Sequence, residues 1–330
     1  QTYKNLEIIL INNGTDSESI DYLEEVAGID KRVKLVHFKD NVYSPDDPGK
    51  YIDICFNAAL EIATGDYIWC QSDDDFIGDD YAERMIALFG DNPECTTAAG
   101  FAVSIDGEGK PNGIAHDHPN VRPRYMPGHE MALASAQGKS PLFGAPGCIF
   151  TVKRDELINA GGFRQPLEYC HLFGLVPFGV TGFDDTAKLY WRHHERQLNK
   201  ESTSRGLIGV NETFSLLNDW EIGRRWEVFG METAGKLVTA IEREQCLKAA
   251  RWMTSYLYSW NFSAALYVIR STWNHPNFWC WTVVKVAKRA IYIKPIRAIW
   301  RPLVRLVFRL GPMLSKPSSG LESIRERINR

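Results

Sequence analysis

Tyr67-Ile68-Trp69-Cys70-Gln71-Ser72-Asp73-Asp74-Asp75 is the stretch that decides the fold. A short apolar run bounded by polar residues reads as a buried strand, here Asp66 to Cys70, and three consecutive carboxylates follow it directly. Crowded carboxylates raise one another's pKa unless a cation or solvent relieves the repulsion. At the end of a buried strand a divalent cation is the natural partner. Mg²⁺ and Mn²⁺ prefer carboxylate oxygen and commonly bring phosphates with them. An acidic, solvated turn that caps the next helix is the alternative reading of the same residues.

The neighbouring segments turn this strand into one unit of an alternating pattern. Leu6 to Ile11 reads as a buried strand closed by the turn residues Asn12-Asn13-Gly14. Asp16 or Ser17 then caps a helix carrying Ile20, Leu23 and Val26. Val33 to Phe38 is a second strand, Tyr51 to Thr64 a helix, and Gly65 its C-cap. Beyond the Asp triplet, Asp79 or Asp80 opens a helix through Leu88, and Thr97 to Ile105 is a strand. This β-α-β-α-β-α-β order predicts an α/β fold with a mostly parallel, doubly wound sheet. Ligands bind such sheets beyond the carboxyl ends of the strands. Asn12-Asn13 and Asp73-Asp74-Asp75 both fall at that edge, and are expected to face one crevice.

The middle of the chain is less regular. Asp106 to Gly138 is rich in Gly, Pro and His and reads as loops. Ala145 to Val152 reads as a strand, Arg154 to Ala160 as a short helix, and Ala187 to Arg196 as helical. From about Leu216 the chain is predominantly helical in character and rich in Trp. The expected division is residues 1–215 as an α/β domain and 216–330 as a helical, basic region.

Together these residues resemble the family 2 glycosyltransferases. Gln1-Thr2-Tyr3-Lys4-Asn5-Leu6-Glu7-Ile8-Ile9 and Asn12-Asn13-Gly14-Thr15-Asp16-Ser17 are similar to the family's approach to its second strand and the acidic turn after it. Asn57-Ala58-Ala59-Leu60, Ala63-Thr64-Gly65-Asp66-Tyr67-Ile68, Ser72-Asp73-Asp74-Asp75 and Gly161-Gly162-Phe163 follow in the family's order. Asp184-Asp185 stands where the family usually has Glu-Asp. The resemblance covers about Gln1 to Arg196 and implies the GT-A fold, a nucleotide-sugar donor and Mn²⁺ or Mg²⁺. By it, Asp74 and Asp75 are metal residues, and Asp73, Asn12, Asn13 and Asn57 belong to the nucleotide pocket. Asp185, or else Asp184, is the general base that takes a proton from the acceptor hydroxyl during an inverting displacement. The family's first strand would precede Gln1. Asn13 replaces an Asp, Ser72 replaces the first Asp of the metal motif, and Phe56 stands where Arg is common.

The resemblance further implies a donor that is most often a UDP-sugar, and a sugar or lipid-linked glycan as acceptor. Cell-surface polysaccharide or glycolipid synthesis is the expected setting. A catalytically inactive nucleotide-sugar-binding or scaffold protein is one alternative, kept by Ser72 and Asn13. A nucleotidyltransferase is another, and would need a Gly-rich phosphate loop that the sequence does not offer. The histidines have bland readings: on a helix, His193 and His194 would point to different faces, so no metal site is predicted there.

Bulk properties add a setting. The 330 residues carry a formal net charge of −3. From Trp281 onward twelve Lys and Arg oppose two Glu, a net +10 on an otherwise acidic chain. Arg297, Arg301, Arg305 and Arg309 recur every four residues among Trp300, Leu303, Val304, Val307 and Phe308. As a helix, residues 283–310 would suit an anionic membrane surface, or would pack on the catalytic domain with a solvated basic face. No nucleic-acid motif accompanies the charge. Seven cysteines without C-x-x-C spacing point to a reducing compartment. The expected location is cytoplasmic, on the inner face of the cell membrane.

Overall fold

The computed structural model describes residues 1–44, 50–114, 124–137, 147–164, 170–194, 221–258 and 260–272. The chain divides into two compact units, Gln1–Gln197 and Leu198–Arg330. The expected boundary at 215/216 and the basic segment 283–310 both lie outside the described residues.

The first unit opens with β1 (Ile8–Asn13), α1 (Ser17–Ile29), β2 (Val33–Phe38) and α2 (Lys50–Ile62). The β-branched run of β1 pairs in parallel with β2, Ile8 against Val33 through Asn13 against Phe38. Asp16 caps α1 by accepting from the Ser19 backbone N–H at 2.8 Å. Next come β3 (Tyr67–Trp69), β4 (Phe76–Ile77), α3 (Tyr81–Asp91) and β5 (Cys95–Ile105). The stretch expected to be loops holds β6 (Pro111–Ile114), β7 (Tyr125–Pro127) and α4 (Gly128–Ala136). Then follow β8 (Phe150–Lys153), α5 (Arg154–Asn159), a π-helical turn (Cys170–Leu175) and β9 (Val180–Arg192).

The α/β class is as expected, but the pairing is more mixed than the alternation predicted. Among the described residues, parallel ladders join β1 to β2 and β5 to β9, and the ladders of β8, β4, β6 and β7 are antiparallel. The central order is β3-β8-β5-β9-β4, with β6 beside β5 and β7 beside β9. β6, β7 and β8 add antiparallel ladders to the parallel β5–β9 pair.

β9 is the element that differs most from expectation. The helical reading of Ala187 to Arg196 is overturned: Ala187–Arg192 continues a 13-residue strand. Its side chains alternate, with Ala187 and Leu189 buried and Lys188 exposed, which is a period of two. Opposite β5, the register jumps from Ala99↔Phe183 to Phe101↔Lys188. Asp184–Ala187 therefore bulges against the single residue Gly100. The bulge explains that glycine, because a Cβ there would lie 2.5 Å from the Ala187 carbonyl oxygen and 2.7 Å from the Tyr81 ring.

The core sits where α3 packs on β5 and β9. Tyr81, Met85, Leu88 and Phe89 form the buried face of α3 at helical spacing, and Ala98, Ala99, Ala102, Ile105 and Leu189 are buried in β5 and β9. Each such side chain contributes about 1.5–3 kcal/mol by leaving water. The Tyr81 hydroxyl donates to the Ile149 carbonyl at 2.9 Å, so the helix also holds the turn before β8.

The second unit contains α6 (Glu221–Trp226), α7 (Met231–Tyr258) and α8 (Phe262–Thr272). Cys246, Ala249, Ala250, Met253 and Val268 form a buried cluster between α7 and α8. Among the described residues no helix is long and apolar enough to cross a membrane.

Candidate active site

The Asp triplet occupies the loop from β3 to β4, and the carboxyl end of β9 closes over it. Asp75 Oδ1 accepts from the Arg192 backbone N–H at 2.8 Å. Its other oxygen receives the Cys148 thiol at 3.6 Å. Burial, assisted by the charge of Asp74, outweighs these contacts and pushes the Asp75 carboxyl up to about 6. Asp75 thus ties the loop to β9 rather than presenting itself outward.

Arg192 completes the tie. Its Nε donates to the Asp74 carbonyl at 2.8 Å and its Nη1 to the Gly107 carbonyl at 2.8 Å. Its guanidinium also lies over the Phe76 ring, 5.7 Å from the centroid. Two residues further on, His194 Nε2 lies 3.1 Å from Asp74 Oδ2. Sequence reasoning set His194 aside because a helix would turn neighbouring histidines apart; on the end of a strand it reaches the acidic loop. Tyr51, at the start of α2, is a second residue that the sequence did not single out. Burial, then the negative charges of Asp73, Cys55 and Asp74, pushes its hydroxyl up to about 12.

The three asparagines each make hydrogen bonds within the chain. Asn12 is buried, accepts from the Thr15 N–H at 2.9 Å and sits 3.2 Å from His37 Nδ1. Asn13 donates to Asn41 at 3.1 Å and accepts from the Val42 N–H at 2.9 Å, which holds the loop after β2. Asn57 clamps the Gly161-Gly162-Phe163 turn. Its amide donates to the Phe163 and Asp53 carbonyls at 2.9 and 2.7 Å, and its oxygen accepts from the Phe163 N–H at 2.8 Å. Gly162 adopts φ 77°, and a Cβ there would lie 2.4 Å from the Asn57 oxygen, so the pair of residues is mutually required.

Asp184 and Asp185 stand in the β9 bulge, apart from the triplet. The bulge faces Gly100, whereas Arg192 faces Ile105. Five residues of β5 separate those levels, about 17 Å of strand. The base role expected for Asp185 or Asp184 would put the acceptor beside the bulge, across the sugar from the diphosphate, and does not require contact with Asp74. Asp184 pairs with Arg84 at 3.4 Å and accepts from the Thr186 backbone N–H at 2.9 Å. Partial burial would raise its pKa, but the Thr186 hydroxyl and N–H and the Arg84 charge hold it below the usual range. Asp185 is exposed.

Asp74 and His194 supply an oxygen and a nitrogen donor to one point, a set that suits Mn²⁺ or Mg²⁺ when substrate phosphates and water complete the coordination. Among the described residues no group of three His, Cys, Asp or Glu could hold an ion by itself.

The family model described as glycosyl transferase family 2 matches residues 1–157. EpsH, a protein of Bacillus subtilis, is 34% identical over 104 residues, 31% of this chain and 28% of that protein. An uncharacterized glycosyltransferase of Haemophilus influenzae is 34% identical over 102 residues, 31% of this chain and 38% of its own length. The chain thus spans roughly a third of the curated relatives it matches. Among solved structures, the mannosyltransferase PcManGT from Pyrobaculum calidifontis, in complex with GDP-Man and Mn²⁺, gives a TM-score of 0.41 at 12% identity, covering 93% of this chain and 77% of that one. GalNAc-T7 with UDP, GalNAc and Mn²⁺ gives 0.43 at 12% identity, covering 63% and 41%. Residues 1–157 are thus similar to glycosyl transferase family 2.

Proposed function

We propose that the chain is a cation-dependent glycosyltransferase that moves a sugar, with inversion, from a nucleotide-sugar to a hydroxyl of a sugar or lipid-linked glycan. A UDP-sugar is the first donor to test. The observation that carries this reading is the convergence of His194 and Asp74 at 3.1 Å, on a loop held by Arg192. Asp74 and His194 would hold Mn²⁺ or Mg²⁺, which when bound neutralises the charge of a leaving diphosphate. Arg192 keeps both groups aimed at one point. Asp75 holds the loop to β9, and Tyr51 and Asp73 line the same neighbourhood. The setting we favour is assembly of a cell-surface polysaccharide or glycolipid at the cytoplasmic face of a membrane, with the basic segment 283–310 as one contact to it.

Calorimetric titration of UDP and GDP, with and without Mn²⁺, tests the donor side. Cation-dependent binding of one nucleotide, lost in Asp74→Asn, is the expected result. Equal binding with and without the cation would overturn the reading. A second reading, a nucleotide-sugar-binding protein without transfer activity, rests on Ser72 and Asn13, which stand where the family has Asp. In that case the nucleotide binds in the same titration, but no sugar is released or transferred over long incubation.

A further inference from the structure

The corner between α7 and α8 exposes a group of large apolar side chains. Trp260 is 79% exposed, Phe262 59%, Leu266 46% and Leu257 41%. The Trp260 and Phe262 rings meet edge to face at 5.8 Å. The outer face of α8 runs Phe262, Leu266, Arg270 at four-residue spacing, while Ala264, Ala265 and Val268 are buried on the inner face. A helix that is apolar on both sides has a second surface to cover.

The corner is built rather than loose. Trp260 adopts φ 58°, a region that residues with a Cβ rarely occupy. Its N–H donates to the Leu257 carbonyl at 3.3 Å and the Asn261 N–H to the Tyr256 carbonyl at 2.9 Å. Asn261 also caps α8 by accepting from the Ala264 N–H at 3.2 Å. The turn therefore holds two aromatic rings out in water.

The surrounding charge selects the partner. From Gln245 to Leu321, 77 residues, the sequence contains no Asp or Glu and twelve Lys or Arg. Of these Arg251 and Arg270 are exposed on α7 and α8. Trp at an apolar-polar boundary, within a stretch of sequence that is basic and free of carboxylates, matches the headgroup level of an anionic bilayer. The eleven residues of α8 make a helix about 16 Å long. That is half of the roughly 30 Å needed to span the hydrocarbon core, so it would lie in the interface. We propose that Leu257, Trp260, Phe262 and Leu266 insert into the headgroup boundary of an anionic membrane. This contact is separate from the basic segment 283–310 and independent of the donor site.

Flotation of the whole chain with phosphatidylcholine vesicles, with and without phosphatidylglycerol, tests it. The chain is expected to float with the anionic vesicles, and its Trp emission to be quenched by brominated acyl chains. The W260S/F262S variant should partition about tenfold more weakly or worse, with most of the quenching lost. Leu266→Asp, on α8 and away from the turn, should act in the same direction, and unchanged circular dichroism shows that both variants are folded. Three results would each overturn the proposal. One is equal flotation with neutral and anionic vesicles. Another is wild-type flotation by both variants, while R297Q/R301Q/R305Q/R309Q abolishes it, which assigns the contact to the basic segment alone. The third is a W260S/F262S variant that loses a dimer by light scattering but floats normally, which makes the corner a surface for a second copy. UDP and GDP titrations on the same variants keep a failure of this proposal distinct from a failure of the donor site.

Discussion

His194 Nε2 stands 3.1 Å from Asp74 Oδ2, although 120 positions separate the two residues in sequence. The contact exists because β9 runs out past β4 and delivers its end to the β3–β4 loop, with Phe76 against Tyr190 as the last rung. A carboxylate and an imidazole at this distance can share a proton or a cation. His194→Ala should therefore weaken Mn²⁺-dependent nucleotide binding by about 100-fold or more, as loss of a metal ligand does at least as much as loss of the groups that orient one. Calorimetry on His194→Ala beside Asp74→Asn checks this. If only the aspartate substitution has an effect, His194 is no ligand.

The β9 bulge leads to a contrasting expectation for its two carboxylates. Asp185→Asn should leave turnover within about twofold of the parent, because the residue is exposed in the bulge. Asp184→Asn should instead lower stability by about 1 kcal/mol, through the lost Arg84 pair and the weakened bonds from Thr186. Urea unfolding and donor hydrolysis rates separate the two effects. A hundredfold drop in rate for Asp185→Asn, with the stability unchanged, would restore that residue as the base.

Arg192 joins the acidic loop to two other segments, and its planar fork is what makes this possible. Arg192→Lys keeps the charge but cannot reach the Asp74 and Gly107 carbonyls together while covering Phe76. We expect a loss of about 1–2 kcal/mol in stability and a Mn²⁺ affinity roughly 10-fold lower, with nucleotide preference unchanged. Thermal unfolding and metal titration measure the two. Unaltered metal affinity would show that the loop keeps its shape without the arginine.

The elements that the sequence announced are those whose signals are local. β2 coincides with the expected Val33 to Phe38, and the Gly161-Gly162-Phe163 turn follows α5 as read. The β9 segment was misread because Lys188-Leu189-Tyr190-Trp191-Arg192 has good helix formers at both ends, and pairing with β5 and β4 overrides that preference. Its alternation of buried and exposed side chains was the available signal. No local pattern announces the bulge, since it depends on which residue of β5 is a glycine. A helix starting near Thr186 would give Asp184 and Asp185 a capping role beside the base role the resemblance implies, and it hides His194.

Asn57 illustrates how a family motif can carry structure. Its amide makes three hydrogen bonds, two of them to Phe163 across 106 positions. Asn57→Ala would leave the Phe163 N–H and C=O without that partner beside a turn that already needs φ 77° at Gly162. A destabilisation of about 2–3 kcal/mol is expected, with nucleotide affinity near the parent value in the folded fraction. Should affinity fall sharply while the unfolding midpoint stays put, Asn57 would be a nucleotide contact instead.

Glu7 contributes to the acid sensitivity of the first unit. Partial burial alone would raise its pKa, yet Lys34, the Thr64 hydroxyl and the backbone N–H groups of Thr64 and Gly65 bring it down to about 2 from an ordinary 4.5. Those contacts join the start of β1 to β2 and to the end of α2. A depressed carboxylate contributes stability that is fully present above its unfolded pKa and is lost as pH falls through the folded one. The window here is therefore from about 4.5 down to about 2. Glu7→Gln should reduce stability at pH 7 by about 1–2 kcal/mol, once solvent screening of the Lys34 pair is allowed for. It should also flatten the pH dependence inside that window. Urea denaturation at a series of pH values decides it: parallel curves for the parent and Glu7→Gln throughout the window would show that the Glu7 cluster contributes nothing to acid sensitivity.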